Sequence, residues 1–266
     1  MDKLLKTKAR IFFERFFPKG LVLELKKYYY SRLLARYTEA SEPDLEIVKL
    51  LVRKGACVVD VGANIGIYSR YLSDFVGSTG KVFSIEPIPE TSRILNANMR
   101  KLRLGNVLIF ANAISDRNGT VEMILPQSRN AGSNIYEAHV MGGYPVYREG
   151  DKFFVPARSL DSLLVQEAEI DFIKCDVEGH ELSVVRGAEQ TIKKFGPAWL
   201  IEICSNPDLP SSSASRVIVK LREWGYELYI YDGQKLRKRN LGERCLNYFF
   251  LQKKHLPLVD GVLEKS

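Results

Sequence analysis

The chain has 266 residues, 45% of them hydrophobic and 27% charged, enough to bury a sizeable core, which excludes global disorder. Lys and Arg outnumber Asp and Glu by 39 to 32, yet residues 1–40 alone hold ten basic residues against four acids. The remainder is close to neutral, which excludes a nucleic-acid groove across the main body.

In chain order, residues 1–40 read as helical, with Phe16, Phe17, Leu21, Leu25, Tyr28 and Tyr29 recurring near helical spacing among Lys and Arg. Pro18-Lys19-Gly20 is expected to break this segment into two helices. Such a basic, aromatic segment suits three roles: covering the sheet or the mouth of a site, docking on an anionic membrane surface, or contacting a second subunit. Monomer and homodimer therefore both stay open. Ser41 is the expected N-cap of a helix running to about Arg53, with Pro43 in its first turn.

From Gly55 short apolar runs alternate with helical stretches. Strands are expected at 56–61, 81–86 and 107–111, and helices at 65–75 and 89–103. Residues 112–160 differ, being rich in Gly, Asn and Ser, with β-like pieces at Thr120–Leu125 and Phe153–Pro156. A strand at 170–175, a helix over about 180–195, a strand at 198–204 and a helix at 212–224 follow. Strand-like runs at 226–231 and 245–252 close the set without a helix between them, as an antiparallel pair would. The alternation predicts an α/β fold with a mostly parallel sheet and helices on both faces. The boundaries expected are a helical extension over 1–54, the α/β domain over 55–255 and a tail over 256–266.

No apolar run approaches the roughly 20 residues of a membrane span. Charges at Lys3, Lys6, Lys8 and Arg10 break up any leader-like stretch. Cys57, Cys175, Cys204 and Cys245 form no C-x-x-C pair and lie in strand-like segments, as buried thiols of a reducing compartment would. A cytoplasmic protein is expected, peripheral at a membrane surface if residues 1–40 dock there.

The most informative stretch is Val58-Val59-Asp60-Val61-Gly62-Ala63-Asn64-Ile65-Gly66. A strand ends near the acid, Gly62 opens a turn, and Gly66 starts the next helix. Ligands bind at such carboxyl ends in open α/β sheets. Glu86 ends the second strand and can accept both hydroxyls of a ribose. The loop departs from the dinucleotide pattern, because Asn64 stands where a second glycine is needed. Asp60 also suits an amino group or a sulfonium better than a phosphate.

These motifs, with Glu86-Pro87, Asn112-Ala113-Ile114-Ser115-Asp116, Gly132-Ser133-Asn134, Ser159-Leu160-Asp161-Ser162-Leu163 and Ile173-Lys174-Cys175-Asp176-Val177-Glu178-Gly179-His180-Glu181, resemble the FkbM family of S-adenosylmethionine-dependent methyltransferases. The resemblance is collinear over roughly 55–252. It implies a Rossmann-like class I methyltransferase fold, a seven-stranded sheet with an antiparallel last strand. It implies that Asp60, Gly62, Ala63, Asn64 and Gly66 wrap the methionine part of S-adenosyl-L-methionine. Glu86 would hold the ribose, and Asn112 and Ala113 would lie near the adenine. The family often methylates oxygen on sugars and glycans, so a sugar-containing acceptor is implied. Where the family often has Glu-x-His, this chain reads Glu202-Ile203-Cys204.

Methyl transfer to a hydroxyl needs alignment and a proton acceptor. The candidates follow the fourth strand: Asp176, which also faces the cofactor crevice, Glu178, His180 as a general base, and Lys174 as a substrate or acid partner. Asp176 and Glu202 end adjacent strands and could share a divalent metal such as Mg²⁺, although no third ligand is visible. Residues 126–150, with Asn130, Tyr136, His139, Tyr144 and Tyr147, have the composition of a loop closing over a polar substrate. Two competing readings are a nicotinamide-dependent oxidoreductase and a non-catalytic membrane-associated scaffold.

Overall fold

The computed structural model describes residues 16–128, 132–133, 139–140 and 150–264. The main sheet starts with β1 (Cys57–Val61), β2 (Lys81–Ile85) and β3 (Val107–Phe110). A second, smaller sheet follows: β4 (Ala113–Ile114), β5 (Gly119–Ser128), β6 (Gly132–Ser133), β7 (His139–Val140) and β8 (Gly150–Arg158). The chain then returns to the main sheet with β9 (Phe172–Cys175), β10 (Ala198–Glu202), β11 (Glu227–Tyr231), β12 (Leu236–Lys238) and β13 (Asn247–Leu251).

The strand order in the main sheet is β12-β11-β13-β10-β9-β1-β2-β3. Neighbours from β10 to β3 run parallel, whereas β13 runs antiparallel between β10 and β11. This is the Rossmann-like class I arrangement, with its reversed strand inserted between β10 and β11. The sheet has eight strands rather than seven, because β12 folds back antiparallel on β11 as a short edge strand.

The helices are α1 (Lys19–Arg36), α2 (Leu45–Leu51), α3 (Ile67–Val76), α4 (Pro89–Lys101), α5 (Leu160–Leu163), α6 (Glu181–Arg186), α7 (Glu189–Phe195) and α8 (Ser213–Glu223). Alternation along the strands sorts the core into two layers. Val59, Ile85, Ile173, Trp199 and Phe250 pack with α6, α7 and α8 on one face. Val58, Val82, Phe172, Leu200 and Phe249 pack with α2 and α3 on the other. Leu45, Ile47 and Val48 of α2 are fully buried there, and each such side chain contributes roughly 1.5–3 kcal/mol. Val259, beyond the last strand, is buried in the same layer. Residues expected in an extension and a tail thus share the core of the sheet.

Several boundaries differ from the pattern-based reading. Ser41 closes a short 3-10 turn (Glu39–Ser41), and α2 begins only at Leu45. The single helix expected over 180–195 is two, α6 and α7. The Asp161 carboxylate accepts from Gln190 N and Thr191 N at 2.9 and 2.7 Å, capping α7 separately. Cys57 and Cys175 are buried in strands, but Cys204 and Cys245 lie beyond strand ends and Cys204 is exposed. No helix among the described residues is long and apolar enough to cross a membrane.

Pro18 precedes the first turn of α1, which packs on α4 through buried Leu34, against Leu95 and Met99. A Lys26–Glu90 ion pair at 2.8 Å ties the two helices. Leu21, Leu25, Tyr28 and Tyr29 point outward. Residues 1–15 lie outside the described residues, as do Asn130, Asn134, Tyr136, Tyr144 and Tyr147 of the expected closing loop.

Candidate active site

Strand register builds the site. Val61 pairs with Ile85 and with Cys175, and Cys175 pairs with Ile201. The residues that follow, Gly62, Glu86, Asp176 and Glu202, therefore stand at one level along the carboxyl edge. Asn247 of β13 pairs with Glu202 at that level. Asp60 pairs with Ser84 and Lys174 one position below Val61. Asp60, Lys174, Asp176 and Glu202 consequently share one face.

The turn after β1 is fixed by close backbone approach. Gly62 has φ +79°, and a Cβ there would sit 1.7 Å from the Asp176 carbonyl oxygen. The amides of Gly62 and Ala63 both donate to the Ile85 carbonyl at 3.0 Å. Asn64 adopts φ +50°, a left-handed conformation that Asn tolerates better than most residues. Gly66 opens α3 against the side chains of Leu95 and Met99.

Asp60 is fully buried. Its Oδ2 accepts from Ser69 Oγ at 2.6 Å, and Ser69 Oγ accepts from Ser84 Oγ at 2.8 Å. Asp60 Oδ1 and Asn64 Oδ1 are buried with no hydrogen-bond partner among the described residues. Burial raises the Asp60 carboxyl, opposed by Lys174 and Ser69. Glu86 Oε2 accepts from Asn64 N at 3.0 Å and its Oε1 from Ile88 N at 2.9 Å. Burial still pushes Glu86 up to about 7, against both amides. A carboxylate has about four lone-pair positions, so two remain for a ligand.

Two clefts meet at this edge and share Gly62, Asn64 and Asp176 as their common wall. The first is open to solvent and is lined by Glu86, Ile88, Asn112, Ala113 and Met123 on one side and by Glu178 and His180 on the other. A carboxylate beside apolar side chains suits a ribose attached to a flat base. The second is also open to solvent, with Asp60, Lys174, Asp176 and Glu202 among its lining. Tyr37, Glu42, Tyr68 and Asn247 also line it. Tyr37 and Tyr68 donate their hydroxyls to Glu42 at 2.9 and 3.3 Å, and Asn247 donates to Asp44 at 2.6 Å.

Lys174 is 5% exposed. Its Nζ lies 3.1 Å from Asp176 Oδ2 and 4.7 Å from the Tyr68 ring centroid. Burial pulls its pKa down, but Asp176, Asp60 and Glu202 outweigh burial and hold it above the usual lysine value. It is a fixed cation. Burial and the Asp176 charge push Glu202 up to about 7, with Lys174 opposing.

The four catalytic candidates thus separate. Lys174 lies in the second cleft and meets Asp176 on the wall that both clefts share. Glu178, at φ +49°, and His180 line the first. His180 Nε2 lies 3.1 Å from Ser115 Oγ, and burial lowers its pKa, opposed by Asp116. Among the described residues no group of three or more His, Cys, Asp or Glu could hold a metal ion. The cation paired with Asp176 is the Lys174 ammonium.

Sequence reasoning missed Tyr37, Glu42, Tyr68 and Asn247, which come from three distant segments. Glu181, which closes the Ile173–Glu181 motif, is a buried acid that accepts from Gly179 N at 2.6 Å and is pushed up to about 7 by burial. At the first turn of α6 it steadies the loop after β9.

The model of the methyltransferase FkbM domain family matches residues 60–228, well over half of the chain. The chain belongs to the FkbM methyltransferase family. This FkbM protein is therefore an S-adenosylmethionine-dependent methyltransferase, and the oxidoreductase and scaffold readings fall. Asn64, with its side chain at the turn where a dinucleotide site needs glycine, agrees. The 2-O-methyltransferase NoeI of Sinorhizobium fredii (strain NBRC 101917 / NGR234) is 25% identical over 194 residues, covering 68% of this chain and 77% of NoeI. A protein-L-isoaspartate O-methyltransferase of Methanothrix thermoacetophila is 34% identical over 56 residues, covering 21% of this chain and 27% of its own. Among solved structures, the methyltransferase FkbM from Methylobacillus flagellatus KT superposes with a TM-score of 0.49 at 17% identity, over 76% of this chain and 45% of that one. This chain spans less than half the length of that protein.

The residues present fit S-adenosylmethionine. The two orphaned oxygens on Asp60 and Asn64 can accept from an amino group.

Proposed function

We propose that this protein is an O-methyltransferase acting on a sugar hydroxyl of a glycan, glycolipid or related metabolite. The observation that carries the reading is the second cleft. Its polar, carboxylate-rich base suits an acceptor with many hydroxyl donors, and it joins the nucleoside-shaped cleft at Asp176. The activity of the relative NoeI, 2-O-methylation, is of the same kind.

Bound S-adenosylmethionine supplies an electrophilic methyl group on a sulfonium. In this reading Glu86 accepts the two ribose hydroxyls, Asn112 and Ala113 border the base, and Asp60 and Asn64 accept from the amino group. Asp176 takes the proton of the attacking hydroxyl. Lys174 fixes the Asp176 carboxylate by holding Oδ2, and as a permanent ammonium it does not act as a base. Glu202, poised near neutrality, receives the proton afterwards. His180 is assigned to positioning, since its ring nitrogen is engaged with Ser115 at the other cleft.

Mg²⁺ bridging Asp176 and Glu202 would meet the Lys174 ammonium at close range, a like-charge contact that disfavours it. Transfer of labelled methyl to a panel of free, glycan-borne and lipid-linked sugars tests the assignment. The expected product is an alkali-stable methyl ether, formed equally with and without excess chelator. Methyl recovered only as a base-labile ester or an N-methyl group would overturn the oxygen assignment.

The Glu86 role has its own test. Ribose hydroxyls donate to the ionised carboxylate, so adenosylhomocysteine should bind more tightly as pH rises through about 7. Glu86→Gln should weaken binding by roughly tenfold or more and flatten that dependence. Calorimetry showing the same pH slope in E86Q and wild type would refute it.

A further inference from the structure

Beyond the two clefts lies a third, larger groove of about 1440 Å³. It adjoins the site through Gly179 and His180 on one wall and Cys204, two residues past Glu202, on the other. Three arginines from three elements line it: Arg186 at the end of α6, Arg216 in the first turn of α8, and Arg244 ahead of β13. All three are exposed, and no aspartate or glutamate lines the groove. Among the described residues none of the three forms an ion pair. Arg216 Nε donates only to the Ser212 carbonyl at 3.3 Å.

The contrast with the second cleft is a contrast of charge. That cleft carries Glu42, Asp60, Asp176 and Glu202 against one lysine, whereas the groove carries three guanidiniums and no acid. The first amides of α8 do not supply the argument, because Ser205 Oγ and Ser212 Oγ already accept from Ala214 N and Ser215 N. The guanidiniums do. A guanidinium presents a planar fork matched to carboxylate and phosphate oxygens. One arginine satisfies a carboxylate, whereas three around an open groove match a group with more oxygens and at least two negative charges.

Resting on the sugar-acceptor reading above, we propose that the acceptor carries a phosphate or diphosphate, which Arg186, Arg216 and Arg244 hold in this groove while its hydroxyl reaches Asp176. The ligand chemistry is a phosphoryl oxyanion attached to a sugar, whether on a nucleoside, a free sugar or a lipid.

Inorganic pyrophosphate is the probe, titrated by calorimetry into the full-length protein and into the double variant R216Q/R244Q. Both substitutions are at exposed positions outside the cofactor cleft, and matching thermal melts establish that the variant is folded. Saturable binding that weakens with added salt is expected, with a loss of about tenfold or more in the variant and adenosylhomocysteine binding unchanged. For phosphorylated sugars KM should rise by a similar factor with kcat retained, and for neutral sugars neither should change. Sugar phosphates, nucleoside-diphosphate sugars and vesicles bearing a phosphoglycolipid, compared as acceptors, identify the source of the phosphoryl group. Absence of saturable pyrophosphate binding, or equal binding in R216Q/R244Q, overturns the proposal. If neutral sugars are nevertheless methylated, the acceptor reading survives that failure. If no sugar of any kind is methylated while adenosylhomocysteine binds, the acceptor reading itself fails.

Discussion

Gly62→Ala should abolish adenosylhomocysteine binding and lower the unfolding free energy by roughly 3 kcal/mol or more. Two costs add. The residue sits at φ +79°, and its new methyl carbon would meet the Asp176 carbonyl oxygen at 1.7 Å. The second contact is with backbone, so no rotamer change relieves it. Either β9 moves away from β1 or the turn unwinds, and both clefts lose the wall they share. Gly105→Ala is the control, since nothing lies within 4 Å of an added Cβ there. Calorimetric titration and chemical denaturation of both variants decide the matter. Wild-type affinity and stability in G62A would mean that the β1 turn does not form as described.

Lys174→Met should cost about two orders of magnitude or more in kcat, and its stability loss should depend on pH. Removing one partner of a buried ion pair costs about 3–5 kcal/mol. Here the ammonium faces three carboxylates, Asp60, Asp176 and Glu202. Without it, the folded pKa values of Asp60 and Glu202, which Lys174 holds down, rise further above those of the unfolded chain. The folded state then binds more protons than the unfolded state across the acid-to-neutral range, so stability falls as pH rises. K174M should lie nearest to wild type at about pH 5 and furthest at about pH 8. Denaturation curves at both pH values provide the check. A loss of equal size at both would show that Lys174 contributes packing against Tyr68 rather than charge.

Local chemistry made the β1 turn legible in the sequence. A strand, an acid, a glycine and a second acid ending the next strand lie within Asp60–Glu86, and parallel register brings their ends together without further information. Asp176 and Glu202 were legible for the same reason. The acceptor-side residues were not. Tyr68 reads as an ordinary position on an amphipathic helix, and Glu42 as part of a helix start. Their meeting with Asn247 depends on α2 and α3 covering the same sheet face while β13 inserts beside β10. Nor does periodicity reveal that Lys174 and His180 line different clefts, with Asp176 on the wall the two clefts share. That separation follows from the left-handed bends at Glu178 and Gly179. The edge strand β12 escaped notice because three residues carry too little pattern to mark a strand.

Glu86 spends one lone pair of each oxygen on its own backbone, at Asn64 and Ile88. The group assigned to grip the ribose is therefore also the pin that joins the loops after β1 and β2. Its orientation is set when the chain folds, and the entropy of arranging it is not charged against the nucleoside on arrival. Affinity on this side of the molecule is thus inherited from folding, and a change that loosens either loop should be felt as weaker binding before it is felt as slower chemistry.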